Sequence, residues 1–243
     1  MQNSQLLWLA GGAAVLFALL PKRSEAVPIP STSVGHPLYI SANEAPFSAG
    51  AFRVATGTDD QFVIQEGFSA LDPIFTGNVS LSPGLFDISD PVIMRSNAKL
   101  SGDGHGATIL RTRSQNINVI EIHGEGFDSN PGPNPPGMIK RWGLADMRID
   151  SVGSPTSNGV SVKYAHMGRA SNIEIYGFNG HGIRNEVSFD TYWEQVTVGL
   201  CGNIARSQAA VLLTNNASGN TNRQNFANLR IEPFRDRALQ IDG

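Results

Sequence analysis

Two short segments bring together the charged residues best suited to chemistry, "DMRID" (146–150) and "NIEIY" (172–176). Aligned on their apolar pairs, Met147/Ile149 and Ile173/Ile175, they put Arg148 beside Glu174 and Asp150 beside Tyr176 on the opposite face. Were they neighbouring parallel strands, their residues would be about 4.8 Å apart across the pair and about 6.6 Å apart at alternate positions. Asp150 and Glu174 would then sit roughly 8 Å apart, inside the ~6.5–9.5 Å separation of the two carboxyls in an inverting glycosidase. Arg148 would neutralise a uronate. A lyase acting on such a sugar needs a base and often Ca²⁺ held by oxygen ligands. The same three residues also make an ordinary surface ladder of ion pairs, contributing about 0–1 kcal/mol each.

Other candidates surround this set. In "FDTYWEQV" (189–196), Tyr192 and Trp193 could stack on sugar rings while Asp190 and Glu194 bind hydroxyls. In-out alternation turns one of the two aromatics into a core. Tyr176 joins the binding candidates by its place beside Asp150. His181, in "NGHGIRN" (179–185), is another, although a Gly-His-Gly tripeptide also suits a corner with the imidazole in solvent; the tripeptide recurs at 104–106. Asp59-Asp60 reads as a polar turn after Gly57. The sole cysteine, Cys201, excludes an intrachain disulfide and reads as a small buried hydrophobe.

What must position these residues is a repeat. "DMRID", "NIEIY", "QVTVG" (195–199) and "NLRIE" (228–232) share one pattern, their first apolar residues spaced 26, 23 and 33 apart. A second series interleaves with it: "NVIEI" (118–122), "NGVSV" (158–162), "GHGIR" (180–184), "AAVLL" (209–213) and "RALQI" (237–241). "NAKLSG" (97–102) is assigned to the first series. Each segment is a short strand with one buried face, too short to bury a core alone. Hairpin loops are missing, and the recurrence fits a solenoid in which each coil gives one strand to each of several parallel sheets. The outward rows of the first series then read Lys99, Arg148, Glu174, Thr197, Arg230 and Ser101, Asp150, Tyr176, Gly199, Glu232. The Pro/Gly-rich 125–137 segment is expected to project from one coil.

Composition agrees. Of 243 residues only 16% are charged and 26 are glycine, which suits a turn-rich β protein more than one with charged surface helices. The net charge of −3 and the lack of a basic run argue against nucleic acid as a partner. Residues 6–20 are apolar and uncharged, with Lys22-Arg23 following. At about 1.5 Å per residue they span roughly 22 Å as a helix. Two readings stay open for residues 1–26: a cleaved signal peptide with small residues near Ala26, or a hydrophobic helix retained as a membrane anchor. Residues 27–76 form a linker and entry region with one or two short strands within 52–68, and 77–243 the solenoid. The chain ends inside a strand of the second series, "RALQIDG", which suggests a fragment of a longer protein or an end covered by partner subunits such as trimer mates.

The stretch 77–110 carries Gly77, Val79, Leu81, Pro83, Gly84, Phe86, Ile88, Pro91, Ile93, Ser96, Asn97, Leu100, Gly102, Gly104, Ala107, Thr108 and Leu110. This phrase resembles the entry motif of the pectate-lyase-like right-handed parallel β-helix superfamily, which includes phage tailspike-like members. The resemblance implies an all-β right-handed solenoid, with glycines at corners and apolar residues in strands. It also implies a carbohydrate ligand, since many members are polysaccharide lyases, glycoside hydrolases or tailspike depolymerases and others have no demonstrated activity. "NGHGIRN" and "RIE" (230–232) are similar to the Gly-His-Gly and Arg-Ile-Lys phrases of the polygalacturonase family. The Asp-Asp that family carries about one coil earlier is replaced by Ser157-Asn158, so its carboxylates are missing.

Two functions follow as expectations. One is an exported or surface protein that binds, and as a lyase or hydrolase cleaves, an acidic polysaccharide. The other is a non-enzymatic virion or surface spike, anchored through residues 6–20, that binds glycans or partner subunits. The catalytic set in the first is Asp150, Glu174 and Arg148. Tyr176, Tyr192, Trp193, Asp190 and His181 are its binding set, and Ca²⁺ is a cofactor only for a lyase.

Overall fold

The computed structural model describes residues 37–43, 51–71, 77–126, 137–153, 156–217 and 219–242. The expectations for residues 1–26 and for most of the 125–137 insertion lie outside them. The Glu125 N–H donates to the Gly137 carbonyl at 2.7 Å.

Every strand ladder among the described residues is parallel. The chain winds as a parallel β-helix with three main sheets. The first sheet holds Leu38–Ser41, Gly77–Leu81, Ala98–Ser101 and then residues 143–145, 169–171, 192–194 and 225–227. The second holds Gly84–Ile88, Thr108–Thr112, 148–151, 173–176, 196–199 and 229–231. The third holds Val92–Ile93, Asn118–His123, 158–163, 183–186, Val211–Thr214 and Leu239–Asp242.

Each sheet turns apolar rows inward. In the second, Phe86, Leu110, Ile149, Ile175, Val198 and Ile231 are successive partners. In the third, Val92, Ile120, Val160, Ile183, Val211 and Leu239 are. All but Ile231 and Leu239 in these two rows are buried. Burying one such side chain contributes about 1.5–3 kcal/mol, so the stack of rows is the main source of stability. In the first sheet the row ends in aromatics. Trp193 lies edge-on to Trp142, ring centroids 5.9 Å apart, and stacks on Phe226 at 6.2 Å.

The two interleaved series read from the sequence are the second and third sheets, with Met147, Ile173, Val196 and Leu229 in register as spaced. One assignment is corrected. Lys99 pairs with Gly143 and Ser101 with Ala145, so "NAKLSG" belongs to the first sheet. The neighbours of Arg148 and Asp150 on that side are Ile109 and Arg111. The first sheet went unread because its strands run directly into the second, as in the continuous strand Gly143–Ser151.

A single left-handed residue makes that turn. Asp146, Asn172, Gln195 and Asn228 have φ of 58°, 53°, 54° and 59°. Their spacing repeats that of the strands, so the corners stack as well. Asn and Asp tolerate this backbone better than most residues with a Cβ, and the Asn172 Nδ2 donates to Asp146 Oδ1 at 2.8 Å. In the entry motif, Gly84 and Gly104 also take positive φ, 134° and 120°, as corners should.

The region before the coils departs from expectation. Arg53–Val54 is a strand, but Gln61–Ala70 is a helix. Its buried residues Ile64, Gly67 and Phe68 follow the helical i, i+3, i+4 spacing, which the flanking β pattern had masked. The Asp59-Asp60 turn is present. Asp60 is fully buried and accepts N–H bonds from Thr56, Gly57 and Asp87, tying the helix start to the second sheet.

Candidate functional site

The outer face of the second sheet brings Arg148, Asp150, Glu174 and Tyr176 together. The pairings Arg148 with Glu174 and Asp150 with Tyr176 are those expected from the segments. Arg148 bridges the two carboxylates, one guanidinium nitrogen 3.6 Å from Asp150 Oδ1 and another 3.6 Å from Glu174 Oε2. Its guanidinium also lies over the Tyr176 ring, 4.9 Å from the centroid. Asp150 is buried, and its second oxygen accepts from Arg111 Nε and Nη2 at 3.2 and 3.0 Å. Both oxygens of Asp150 thus face guanidinium groups, and Asp150 orients two arginines more than it meets solvent. Glu174 is the open member of the pair.

Glu174 borders a groove of about 670 Å³ that crosses successive coils. Its floor is the corner ladder Asn172, Gln195 and Asn228, and its wall the outward row Glu174, Thr197 and Arg230. His105 closes one end, with Nδ1 3.8 Å from Glu174 Oε2. The groove therefore offers amides, a hydroxyl, an imidazole, a carboxylate and a guanidinium at intervals of about 4.8 Å along the axis. Arg230 is ion-paired with Glu232.

A second groove, about 720 Å³, lies on the first sheet. Tyr192 stands out from it, 55% exposed, with Arg169 and Asn225 as its strand neighbours. Glu194 lines the same groove and pairs with Arg169 at 2.6 Å. Alternation thus turned Trp193 inward and Tyr192 outward. Trp193, 1% exposed within the aromatic stack, has no face for a sugar ring. Asp190 sits at another left-handed corner, φ 51°, where it accepts from His166 Nε2 at 2.9 Å and pairs with Arg223 Nε at 2.8 Å. It links coils on a different side from the groove floor.

His181 is corrected. It occupies a corner, but one packed into the molecule: the side chain is buried and Nδ1 lies 2.7 Å from the Ala209 carbonyl. Burial holds its pKa below the usual histidine value, against the Ala209 hydrogen bond that raises it. The flanking glycines explain the fit, since a Cβ at Gly180 would come within 2.5 Å of the Ser157 carbonyl and one at Gly182 within 2.4 Å of Val198. His105, in the other Gly-His-Gly, is the histidine that reaches the groove. The sequence pattern hides it and Arg111, because "NAKLSG", a first-sheet strand, has the same alternation as "TILRT" (108–112), the true neighbour of 148–151. Among the described residues, no cluster of three or more His, Cys, Asp or Glu could hold a metal ion. Cys201 is buried, and burial raises its pKa to about 12.

No family model matches the chain, and no curated protein matches it. Among the solved structures that resemble it are two. One is ORF18 of Geobacillus virus E2, with TM-score 0.65 and 24% identity over 76% of this chain and 36% of that one. The other is the A-module of a mannuronan C-5 epimerase from Azotobacter vinelandii, with TM-score 0.41 and 12% identity over 76% of this chain and 66% of that module. The chain spans about a third of the viral protein's length. The likeness to the viral protein supports the fold that the strand ladders draw, a parallel β-helix.

Proposed function

We propose that this protein is a carbohydrate-binding member of the pectate-lyase-like, right-handed β-helix type. It would hold an acidic polysaccharide along the second sheet. The observation that carries the reading is the 670 Å³ groove, whose amide floor repeats once per coil beside a polar wall of Glu174, Thr197 and Arg230. A polysaccharide is a linear repeat of hydroxyls and, here, carboxylates, so a linear repeat of donors and acceptors matches it. In this reading Arg148 and Arg230 exchange a protein carboxylate for one from the ligand, the amides take hydroxyls, and Asp150 keeps Arg148 in place. Tyr192 on the first sheet offers a stacking surface beside Arg169. If the bound chain is cleaved, Glu174 is the carboxylate open to it, with Asp150 as its partner and His105 at its side.

The test is a panel of neutral and acidic polysaccharides, scored separately for binding and for products. Acidic chains are expected to bind. Asn228→Ala is expected to weaken binding about threefold to tenfold, the worth of one hydrogen bond. Equal binding of neutral and acidic chains, or no binding by any, would overturn the reading. Products that vanish in Glu174→Ala would assign cleavage to this face.

The second reading is a non-enzymatic virion or surface component, anchored through residues 6–20. The likeness to a viral protein favours it. The intact mass of the mature protein separates the cases, since cleavage after Ala26 removes the anchor.

A further inference from the structure

The third sheet carries a different arrangement on its outer face. His123 Nε2 lies 2.8 Å from Ser161 Oγ, and His123 Nδ1 lies 3.7 Å from Glu121 Oε2. Glu121 and His123 alternate on one strand, and Ser161 is the direct neighbour of Glu121 on the next. The parallel register thus gathers a hydroxyl, an imidazole and a carboxylate on one face, with the imidazole in reach of both the others. On the far side of Ser161 stands Arg184, its cross-strand neighbour, and Lys163, two residues along Ser161's own strand, is the cross-strand partner of His123. Both are held by Glu186, Lys163 Nζ at 2.8 Å from Oε1 and Arg184 Nη2 at 2.9 Å from Oε2.

We propose that Ser161, His123 and Glu121 form a nucleophile relay for acyl transfer, acting on an ester of a small carboxylic acid. With its proton on Nδ1 toward Glu121, His123 presents a bare Nε2 to the Ser161 hydroxyl. Ser161 Oγ attacks the acyl carbon and its proton passes to Nε2. The tetrahedral oxyanion forms beside Arg184 and Lys163, where positive charge lowers its energy. The leaving alkoxide takes the proton from Nε2 and departs as an alcohol. Water then attacks the acyl-serine and gives a proton to Nε2; the second tetrahedral intermediate collapses with loss of Ser161 Oγ, which takes that proton back from Nε2, and the acid is released. No metal or redox partner is required. Burial, with Lys163 and Arg184 nearby, outweighs the raising effect of Glu121 and Glu186 and keeps the His123 pKa below its ordinary value. The imidazole is then neutral and able to act as base at neutral pH.

Access fits a small acyl group. Ser161 is 5% exposed, set low among longer side chains. Arg184 beside it is 44% exposed at the side chain and has room to turn outward. The site is on a separate sheet from the groove described above and does not depend on the glycan reading.

The experiment uses the full chain with two probes, a fluorophosphonate for covalent labelling and p-nitrophenyl acetate for turnover. Mass spectrometry of the labelled protein is expected to place the adduct on Ser161. Ser161→Ala is expected to abolish both signals. His123→Gln is expected to slow labelling about 100-fold or more, with the native circular dichroism spectrum retained. Wild-type labelling should rise with pH below 6.5 and level off above. No adduct on the wild-type chain, an adduct elsewhere, or labelling unchanged in His123→Gln would overturn the relay.

Discussion

Asp150 shows how a residue's surroundings decide its role. Its two oxygens face Arg111 and Arg148, and it is buried. Asp150→Ala leaves the partly buried Arg111 without its carboxylate and Arg148 with Glu174 alone, which is expected to destabilise the fold by about 1–3 kcal/mol. Glu174→Ala, at the open end of the same bridge, is expected to leave stability within about 1 kcal/mol. Urea denaturation of the two variants makes the comparison, and equal losses would put Asp150 on the ligand side instead. Three groups set the acid limb of stability. His123 and His181 titrate lower in the folded chain than unfolded, both mainly through burial. For Glu186, burial raises the pKa, but hydrogen bonds from Lys163 and Asn216 and the charges of Lys163 and Arg184 bring it down overall. A lowered folded pKa means the unfolded chain binds more protons, so stability is full above the unfolded pKa and lost as pH falls. The melting temperature is expected to decline from about pH 6.5 downward, first through the histidines and near pH 4 through Glu186. His123→Asn should make the upper part of that decline shallower. Cys201, with its raised pKa, is expected to resist thiol reagents until the chain unfolds, measurable by reagent uptake with and without denaturant.

At the scale of elements, the corners decide more than the strands. Gln195 holds a left-handed backbone that its neighbours fill with Asp146, Asn172 and Asn228. Gln195→Asn is expected to raise stability by about 0.5–1 kcal/mol, because Asn adopts this conformation more readily. Thermal denaturation checks it, and a loss would mean that Gln195's longer side chain, not its backbone, matters. The corners also explain what could be read from the sequence. The second and third sheets were legible because loops separate their strands, leaving clean pairs such as Ile173/Ile175 and Val160/Val162. The first sheet was not, because Asp146 or Asn172 turns the chain within one residue and the alternation shifts phase without a gap. That phase shift also hid Arg111 as the partner of Asp150. Tyr192 and Trp193 were legible as an in-out pair, but alternation alone gives no direction until Trp142 and Phe226 are placed. The helix Gln61–Ala70 was obscured by its β-rich flanks, although Ile64, Gly67 and Phe68 carry its period.

For the whole molecule, each coil is supported by its neighbours on either side. Trp193 is central to this, reaching Trp142 two coils before, past Gly168, and Phe226 in the coil after. Trp193→Ala is expected to cost about 3–5 kcal/mol. Burial falls off toward the last described coil, where Leu239 is 44% and Ile241 70% exposed, against zero for Val160 in the row of the first and Val162 in the row of the second. Hydrogen exchange in this chain should follow that gradient, with amides of 158–163 and 183–186 protected most and those of Leu239–Asp242 least.

The corner ladder has one more consequence. Each coil adds one amide to the groove floor at a fixed rise, whatever the length of the loops outside it, as the spacings of 26, 23 and 33 residues show. The groove is therefore a ruler graduated in coils. Removing or duplicating a whole coil would change the length of the groove by one mark, while the marks on either side keep their chemistry and their phase.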